Sequence, residues 1–202
     1  MSSDISALEP NKSFFSKPYI NDTKKVNLYT FSAYQIDKPD EKEQGKPIEE
    51  GEIIFTPLKK ILLPGEQEYF KIFYRGQEDN QERYYKIVIS ETALDVENDV
   101  AQNQQSLFYP TVSLETYFVV RPKNINFQYD MNTNAGVLTN TGNTFFRVLV
   151  HESCEVKDEE QPLVLYLLPQ QTFRNEVLKK KSRKYIVIFD KYHSIGNCDS
   201  SV

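Results

Sequence analysis

Apolar and polar residues alternate with a period of two along much of the chain, and helical periodicity is nearly absent. In "KVNLYTFSAYQI" (25–36), Val26, Leu28 and Thr30 fall on one face and Asn27, Tyr29 and Phe31 on the other. The pattern predicts further strands at "EIIFTP" (52–57), "EYFKIFYRG" (68–76) and "RYYKIVISE" (83–91). A second set is predicted at "NINFQYD" (124–130), "GVLTNTGNTFFRVLVH" (136–151), "LVLYLLP" (163–169) and "RKYIVIFDKY" (183–192). Polar breaks separate them: the charged, Pro/Gly-containing loop 37–51, the "LPGE" turn (63–66) and the "QEDNQE" turn (77–82). Many short strands divided by turn signals predict an all-β sandwich or barrel.

One run stands apart. "SLFYPTVSLETYFVVRP" (106–122) reads as a single strand after the polar stretch "ENDVAQNQQ" (97–105). Typical strands have about 5–6 residues. Phe108, Pro110, Val112, Leu114, Thr116, Phe118 and Val120 share one face of it. Its second half is apolar on both faces, as in a strand covered on both sides. Its first half is apolar mainly on one face, and an exposed alternating strand is an edge hazard unless another chain uses it. Arg121-Pro122 ends the run, since proline cannot donate to a continuing ladder.

The 202 residues suit one large or two small domains. A faint echo favours two. Asn21 and Asn140 each precede a polar turn and an alternating strand, by chance or by true repetition, and they lie 119 residues apart, close to the ~100 residues of an immunoglobulin-like domain. The predicted units are 1–121 and 122–202, meeting near Arg121–Lys123.

A net charge of −5 argues against nucleic-acid binding. The basic run "KKKSRK" (179–184) reads as a solvated hairpin. No stretch approaches the roughly 18 apolar residues of a membrane span. The start, "MSSDISALEPNK", lacks the layout of a signal peptide, so the protein is either cytoplasmic or carries an initiator Met in place of a leader. No nucleophile elbow, phosphate-cradling glycine loop or H-E-x-x-H motif is present, which favours a binding or assembly protein over an enzyme. His151, Cys154, His193 and Cys198 form two local pairs. They leave three readings: a zinc site, a disulfide, or two unpaired thiols. The zinc spacing is not that of a standard finger, and no cofactor or metal is expected.

The ordered set "IIFTPLKKILLPGEQEYFKIFYRG", "ERYYKIVISE", "YFVVRP", "FQY" and "LTNTGN" resembles the PapD-like periplasmic pilus chaperones. The likeness is greatest to the alternative chaperone–usher group, which includes the chaperones of the enteric common pilus. It spans roughly 50–192. The resemblance implies two immunoglobulin-like β-sandwiches in a boomerang arrangement and a periplasmic location. It implies pilus subunits and an outer-membrane usher as partners, with the long strand lent to a subunit by donor-strand complementation. Residues 97–105 would then be a flexible lead-in. Self-association through the exposed strand is a further expectation.

Carried over by position, Phe108, Pro110, Val112 and Leu114 form the donor face. Glu82, Arg121 and Asp190 match the family's interdomain charge cluster. The family anchors a subunit's terminal carboxylate with two basic residues, but here Tyr117, beside Thr116, stands where the second would be. The expected anchor is Lys17 with Thr116, with Lys12 in reserve. An oxidising compartment implies a Cys154–Cys198 disulfide. The competing readings are a structural pilus subunit or adhesin, or an extracellular immunoglobulin-like binding module. A subunit should carry an N-terminal extension of alternating hydrophobics, and this N-terminus has only sparse apolar positions. A zinc enzyme is more remote.

Overall fold

The protein is described by a computed structural model over residues 5–40, 42–94, 110–155 and 160–198. Phe108 and the 97–105 segment lie outside the described residues. The described residues of 5–78 and 83–121 form one compact unit, and those of 122–198 with Asp79–Glu82 form another.

The first unit contains β1 (Ile5–Leu8), β2 (Phe14–Ile20), β3 (Val26–Ile36), β4 (Lys46–Pro47) and β5 (Ile53–Thr56). It continues with β6 (Lys59–Leu62), β7 (Gln67–Tyr74), β8 (Arg83–Leu94) and β9 (Thr111–Val120). One sheet has the order β1-β9-β8-β3-β4, with β6 also paired to β3, and the other has the order β2-β7-β5. Their inner faces meet in a core of Tyr29, Phe31, Ile53, Phe70, Tyr85, Ile87, Ile89, Phe118 and Val120. Ring pairs such as Phe31–Phe70, with centroids 4.2 Å apart, tie the two sheets together.

The second unit contains β10 (Tyr129–Asn132), β11 (Val137–Asn140), β12 (Phe146–Val150), β13 (Leu163–Leu167) and β14 (Thr172–Arg174). A 3₁₀ turn (Glu176–Leu178), β15 (Lys184–Ile188) and β16 (Lys191–Ser194) follow. The sheets are β10-β11-β14 and β13-β12-β15-β16. Leu138, Phe146, Val148, Leu167, Leu178 and Ile186 fill the space between them.

Three sequence expectations are corrected here. The single strand expected over 136–151 is two strands in different sheets, because the chain turns at 141–145. The strand expected over 183–192 is a hairpin turning at Phe189 and Asp190, both at positive φ (51° and 58°). The basic run 179–184 is solvated only in its first half. Lys184 is 1% exposed, and its Nζ donates to the carbonyls of Lys180 and Ser182. Burial lowers its pKa.

The echo between Asn21 and Asn140 is a shared architecture. Both side chains are fully buried. Asn21 Nδ2 donates to the carbonyls of Lys25 (2.7 Å) and Leu62 (2.9 Å), and Oδ1 accepts the Thr23 N–H. Asn140 Nδ2 donates to the carbonyls of Thr144 (2.9 Å) and Leu167 (2.9 Å), and Oδ1 accepts the Gly142 N–H. The backbones match as well. The Asn21 N–H donates to Glu66 O and the Gly65 N–H to Asn21 O, as the Asn140 N–H does to Gln171 O and the Gln170 N–H to Asn140 O. The receiving loops are "LLPGE" (62–66) and "LLPQQ" (167–171). Each needs a left-handed residue, supplied by Gly65 (φ 79°) and by Gln170 (φ 63°).

Each asparagine bonds three backbone groups, among them the carbonyl of Leu62 or Leu167. Asn21→Ala and Asn140→Ala should therefore each destabilise their own unit by about 2–4 kcal/mol in chemical denaturation. Gly65→Ala should cost about 1 kcal/mol, because an added Cβ strains the left-handed conformation. Gln170→Gly should be neutral to stabilising, and a clear loss there would show that Gln170 is held for another reason.

Candidate functional site

β9 changes character along its length. It pairs with β8 throughout, from Arg83↔Val120 to Thr92↔Thr111. On its other edge, β1 runs parallel to it only from Ile5↔Tyr117 to Leu8↔Val120. Among the described residues, Thr111–Thr116 has no strand on that edge. Burial follows the pairing. Phe118 and Val120 are 1% and 7% exposed, whereas Val112 and Leu114, on the same face, are 67% and 58% exposed. Tyr117 and Val119, on the opposite face of the second half, are also buried. Pro110 is exposed just before the strand.

The open half is amphipathic. On its outer face the hydroxyls of Thr111 and Thr92 pair at 3.0 Å, those of Ser113 and Ser90 at 3.3 Å, and Glu115 lies 3.6 Å from Lys86 Nζ. On its inner face Leu114 stands opposite Ile89 and Val112 opposite Glu91. Glu91 accepts from the Asn27 side chain, which closes that end of the core with a polar pair. A partner strand on the free edge would meet ladder groups from β9 and an apolar row from Val112 and Leu114.

Lys17 and Thr116 line one cleft between the two sheets, together with Ser6. Lys17 lies on β2, on the face shared by Phe15 and Tyr19, which pack on the core. Thr116 directly precedes Tyr117, which pairs with Ile5 of β1, and the space it lines with Lys17 measures about 20 Å³. The rest of the lining is mostly apolar, including Phe31, Phe70, Ile72, Ile87 and Phe118. Lys12 is exposed in the turn between β1 and β2 and lines a separate depression beside Asn11 and Phe14.

The three expected charged residues sit as follows. Arg121 is 7% exposed, with Nε 3.2 Å from Glu9 Oε1 and its N–H donating to Leu8 O. Glu9 was not anticipated, because no strand was read in that part of the chain. Glu82 belongs to the second unit, where it accepts from the Phe145 N–H and the Thr144 hydroxyl. Asp190 is exposed in the β15–β16 turn. Cys154 and Cys198 are disulfide-bonded, with Cα atoms 5.6 Å apart. That bond takes up both thiols and removes the basis for a zinc site with His151 and His193. Among the described residues no group of three or more His, Cys, Asp or Glu is placed to hold a metal.

Two immunoglobulin-like sandwiches, the first ending in a strand that, among the described residues, is paired on both edges at one end and on one edge at the other, define the class of the PapD-like pilus chaperones. The chain belongs to the fimbrial chaperone family: it is 31% identical over 193 residues to the protein named "Probable fimbrial chaperone EcpE" of Escherichia coli O157:H7, covering 95% of this chain and 81% of that one. It is 30% identical over 176 residues to "Probable fimbrial chaperone EcpB" of Klebsiella pneumoniae MGH 78578, covering 85% and 78% of the two chains. Among solved structures it is similar to a chain of the Salmonella enterica SafA pilin–SafB chaperone complex, with a TM-score of 0.53 and 13% identity over 96% of this chain and 89% of that one. No family profile matches the chain.

The division of β9 gives a direct test. Val112→Asp and Leu114→Asp should leave stability within about 0.5 kcal/mol of the parent, as for other exposed positions. Phe118→Asp, on the same face and only four residues from Leu114, should prevent folding of the first unit, since it places a carboxylate in the core. Thermal unfolding of the three variants checks both halves.

Proposed function

We propose that the protein is a periplasmic chaperone that captures pilus subunits by lending them the open half of β9 and passes them to an outer-membrane usher. The carrying observation is the change in pairing within β9 among the described residues, from two partner strands at Tyr117–Val120 to one at Thr111–Thr116, together with the exposure of Val112 and Leu114. A subunit strand completes the missing ladder, and Pro110, Val112 and Leu114 enter its apolar groove. Phe108 is the remaining residue of the expected donor face. The periplasm, being oxidising, suits a protein with a disulfide and no free cysteine among the described residues.

Within this reading Lys17 and Thr116 bind the subunit's terminal carboxylate. Lys17 supplies the charge and Thr116 a hydroxyl, and both line the same small space between the sheets. A charge-assisted hydrogen bond is roughly twice as strong as a neutral one. The side chain of Lys12 lies outside this cleft in the β1–β2 turn and takes no part.

The reading is tested by co-expression in the periplasm with a fimbrial subunit, followed by purification of the complex. Val112→Asp and Leu114→Asp should abolish recovery of a subunit while the chaperone itself accumulates normally. Ser113→Asp, on the polar face, should be mild. Lys17→Ala should weaken capture about tenfold or more, and Lys12→Ala should leave it unchanged. Wild-type recovery with both donor-face variants would remove the donor-strand assignment.

A further inference from the structure

The exposed apolar row of β9 ends beside a carboxylate. Glu91 of β8 stands opposite Val112 of β9 and, on its other side, opposite Tyr29 of β3. Tyr29 is 4% exposed and belongs to the core, whereas Val112 is 67% exposed. Glu91, half-buried between them, marks the border between the unit's own core and its open row. The same face of β8 carries Tyr85, Ile87 and Ile89, all in the core, so a carboxylate there is out of pattern. It is held by Asn27, itself buried, whose Nδ2 donates to Glu91 Oε1. The same amide nitrogen is fixed by Asn21 Oδ1 and Thr23 Oγ1. Among the described residues no Lys, Arg or His forms an ion pair with Glu91. The segment 95–109, which joins β8 to β9, contains Asp95, Glu97 and Asp99 and no lysine or arginine, so it brings no basic side chain either.

We infer that Glu91 is a specificity-determining residue for capture, selecting subunits that bring a lysine or arginine to the end of the apolar row. The inference rests on the donor-strand reading above. A subunit groove that closes over Val112 also removes water from Glu91, its neighbour in the ladder. A carboxylate has two oxygens with about four acceptor sites, and Asn27 serves one of the oxygens. Covered with its other sites unmet, the charge is costly. A cation on the partner offsets that cost, and an acidic side chain in its place adds repulsion. The spacing suits such a pair. A strand added to β9 lies two strand spacings from β8, about 10 Å, and a sheet packed over the row lies at a similar distance. The long stem of a lysine or arginine, meeting the side chain of Glu91, spans either gap. The apolar row accepts any subunit with an open groove, and one charge at its end discriminates among them.

The experiment is competitive capture. Wild-type and variant chaperones with different affinity tags are co-expressed in the periplasm with one fimbrial subunit, and the share of subunit recovered with each is measured. Glu91→Gln keeps an oxygen that can accept from Asn27, so its melting temperature should match the wild type. It should nonetheless lower the recovered share about threefold to tenfold, and Glu91→Lys should lower it further. The lysines and arginines of the subunit are then changed to Glu one at a time. At least one of these subunits should be lost by the wild-type chaperone and recovered by Glu91→Lys. If Glu91→Lys does not fold, the same comparison is made with Gln on both sides. Glu91→Gln should then cost nothing against the subunit whose matching cation is replaced, and additive losses at every cation would overturn the inference. Leu114→Asp is the control for the underlying reading. If Leu114→Asp competes as well as the wild type, the donor-strand reading fails and takes the inference with it. If Leu114→Asp captures nothing while Glu91→Gln and Glu91→Lys compete normally, the donor-strand reading stands and the role of Glu91 is rejected. If Glu91→Lys folds but is defective and no charge-reversed subunit is rescued, Glu91 only closes the core and the inference is likewise rejected.

Discussion

The ladder between β8 and β9 holds ten residue pairs, from Arg83↔Val120 to Thr92↔Thr111. β1 reinforces β9 over the four pairs nearest Val120. Over the other six, β8 is the strand paired with β9 among the described residues. A lone two-stranded ribbon is marginal in water, so β8 must itself be fixed. It is fixed by β3, which pairs with it along the whole of Val26–Ile36, and by the burial of Tyr85, Ile87 and Ile89. The open edge is thus a rigid template. Holding it ordered before a partner arrives lowers the entropy cost of capture. The same rigidity makes the edge hazardous, because an ordered strand with free ladder groups pairs with any extended chain. Ser113, Glu115, Ser90 and Thr92 limit that hazard by keeping the outer face polar.

What was legible in the sequence divides along physical lines. The special character of β9 was visible because its second half is apolar on both faces, a pattern that only double coverage explains. β3, β7 and β8 were visible for the same kind of reason. β1 and β2 were missed, and the residues that obscured them are informative. "FFSKPYI" fails as an alternating strand because Lys17 occupies an inward position, and "ISAL" fails because Ser6 does. The pattern breaks at the polar residues that line the cleft, where local rules are expected to give way to function. The β15–β16 hairpin was hidden for a different reason. Its turn uses Phe189 and Asp190 at positive φ where Asn-Gly would have announced it. Lys184 was misread because charge runs are ordinarily solvated, and its ammonium is instead enclosed by the carbonyls of its own turn.

The buried asparagines explain how two units of different sequence arrive at one plan. In each, a single side chain joins the start of a strand to the Leu-Leu-Pro loop through the carbonyls of Leu62 or Leu167. An amide has two donors and an acceptor, so it can serve three backbone groups that would otherwise be buried unpaired. The two loops have diverged where the requirement is weakest. Gly65 accepts φ 79° freely, and Gln170 holds φ 63° with some strain. Glu66 and Gln171 have kept the same task, each accepting the N–H of the second leucine. The echo between the halves was faint because conservation of the clamp requires only one asparagine and the geometry of one turn.

The balance between strand and cleft follows from magnitudes. Burying Val112 or Leu114 in a partner's groove is worth about 1.5–3 kcal/mol each. A hydrogen bond to a charged group contributes about 1.5–3 kcal/mol. Neither set alone gives a long-lived complex once the cost of association is subtracted. Their functions differ more than their sizes. The apolar row is non-directional and tolerates sliding by two residues, since the period of a strand is two. On the proposed reading, Lys17 and Thr116 are a fixed point near the end of that row. A second cation there would have to be stripped of water inside an apolar lining, and the penalty can exceed its Coulombic gain. Hydroxyls cost less to bury and still direct hydrogen bonds. On the proposed reading, Lys17 with Thr116 sets the register of the partner strand, while the apolar row and the charged contact contribute free energies of similar size.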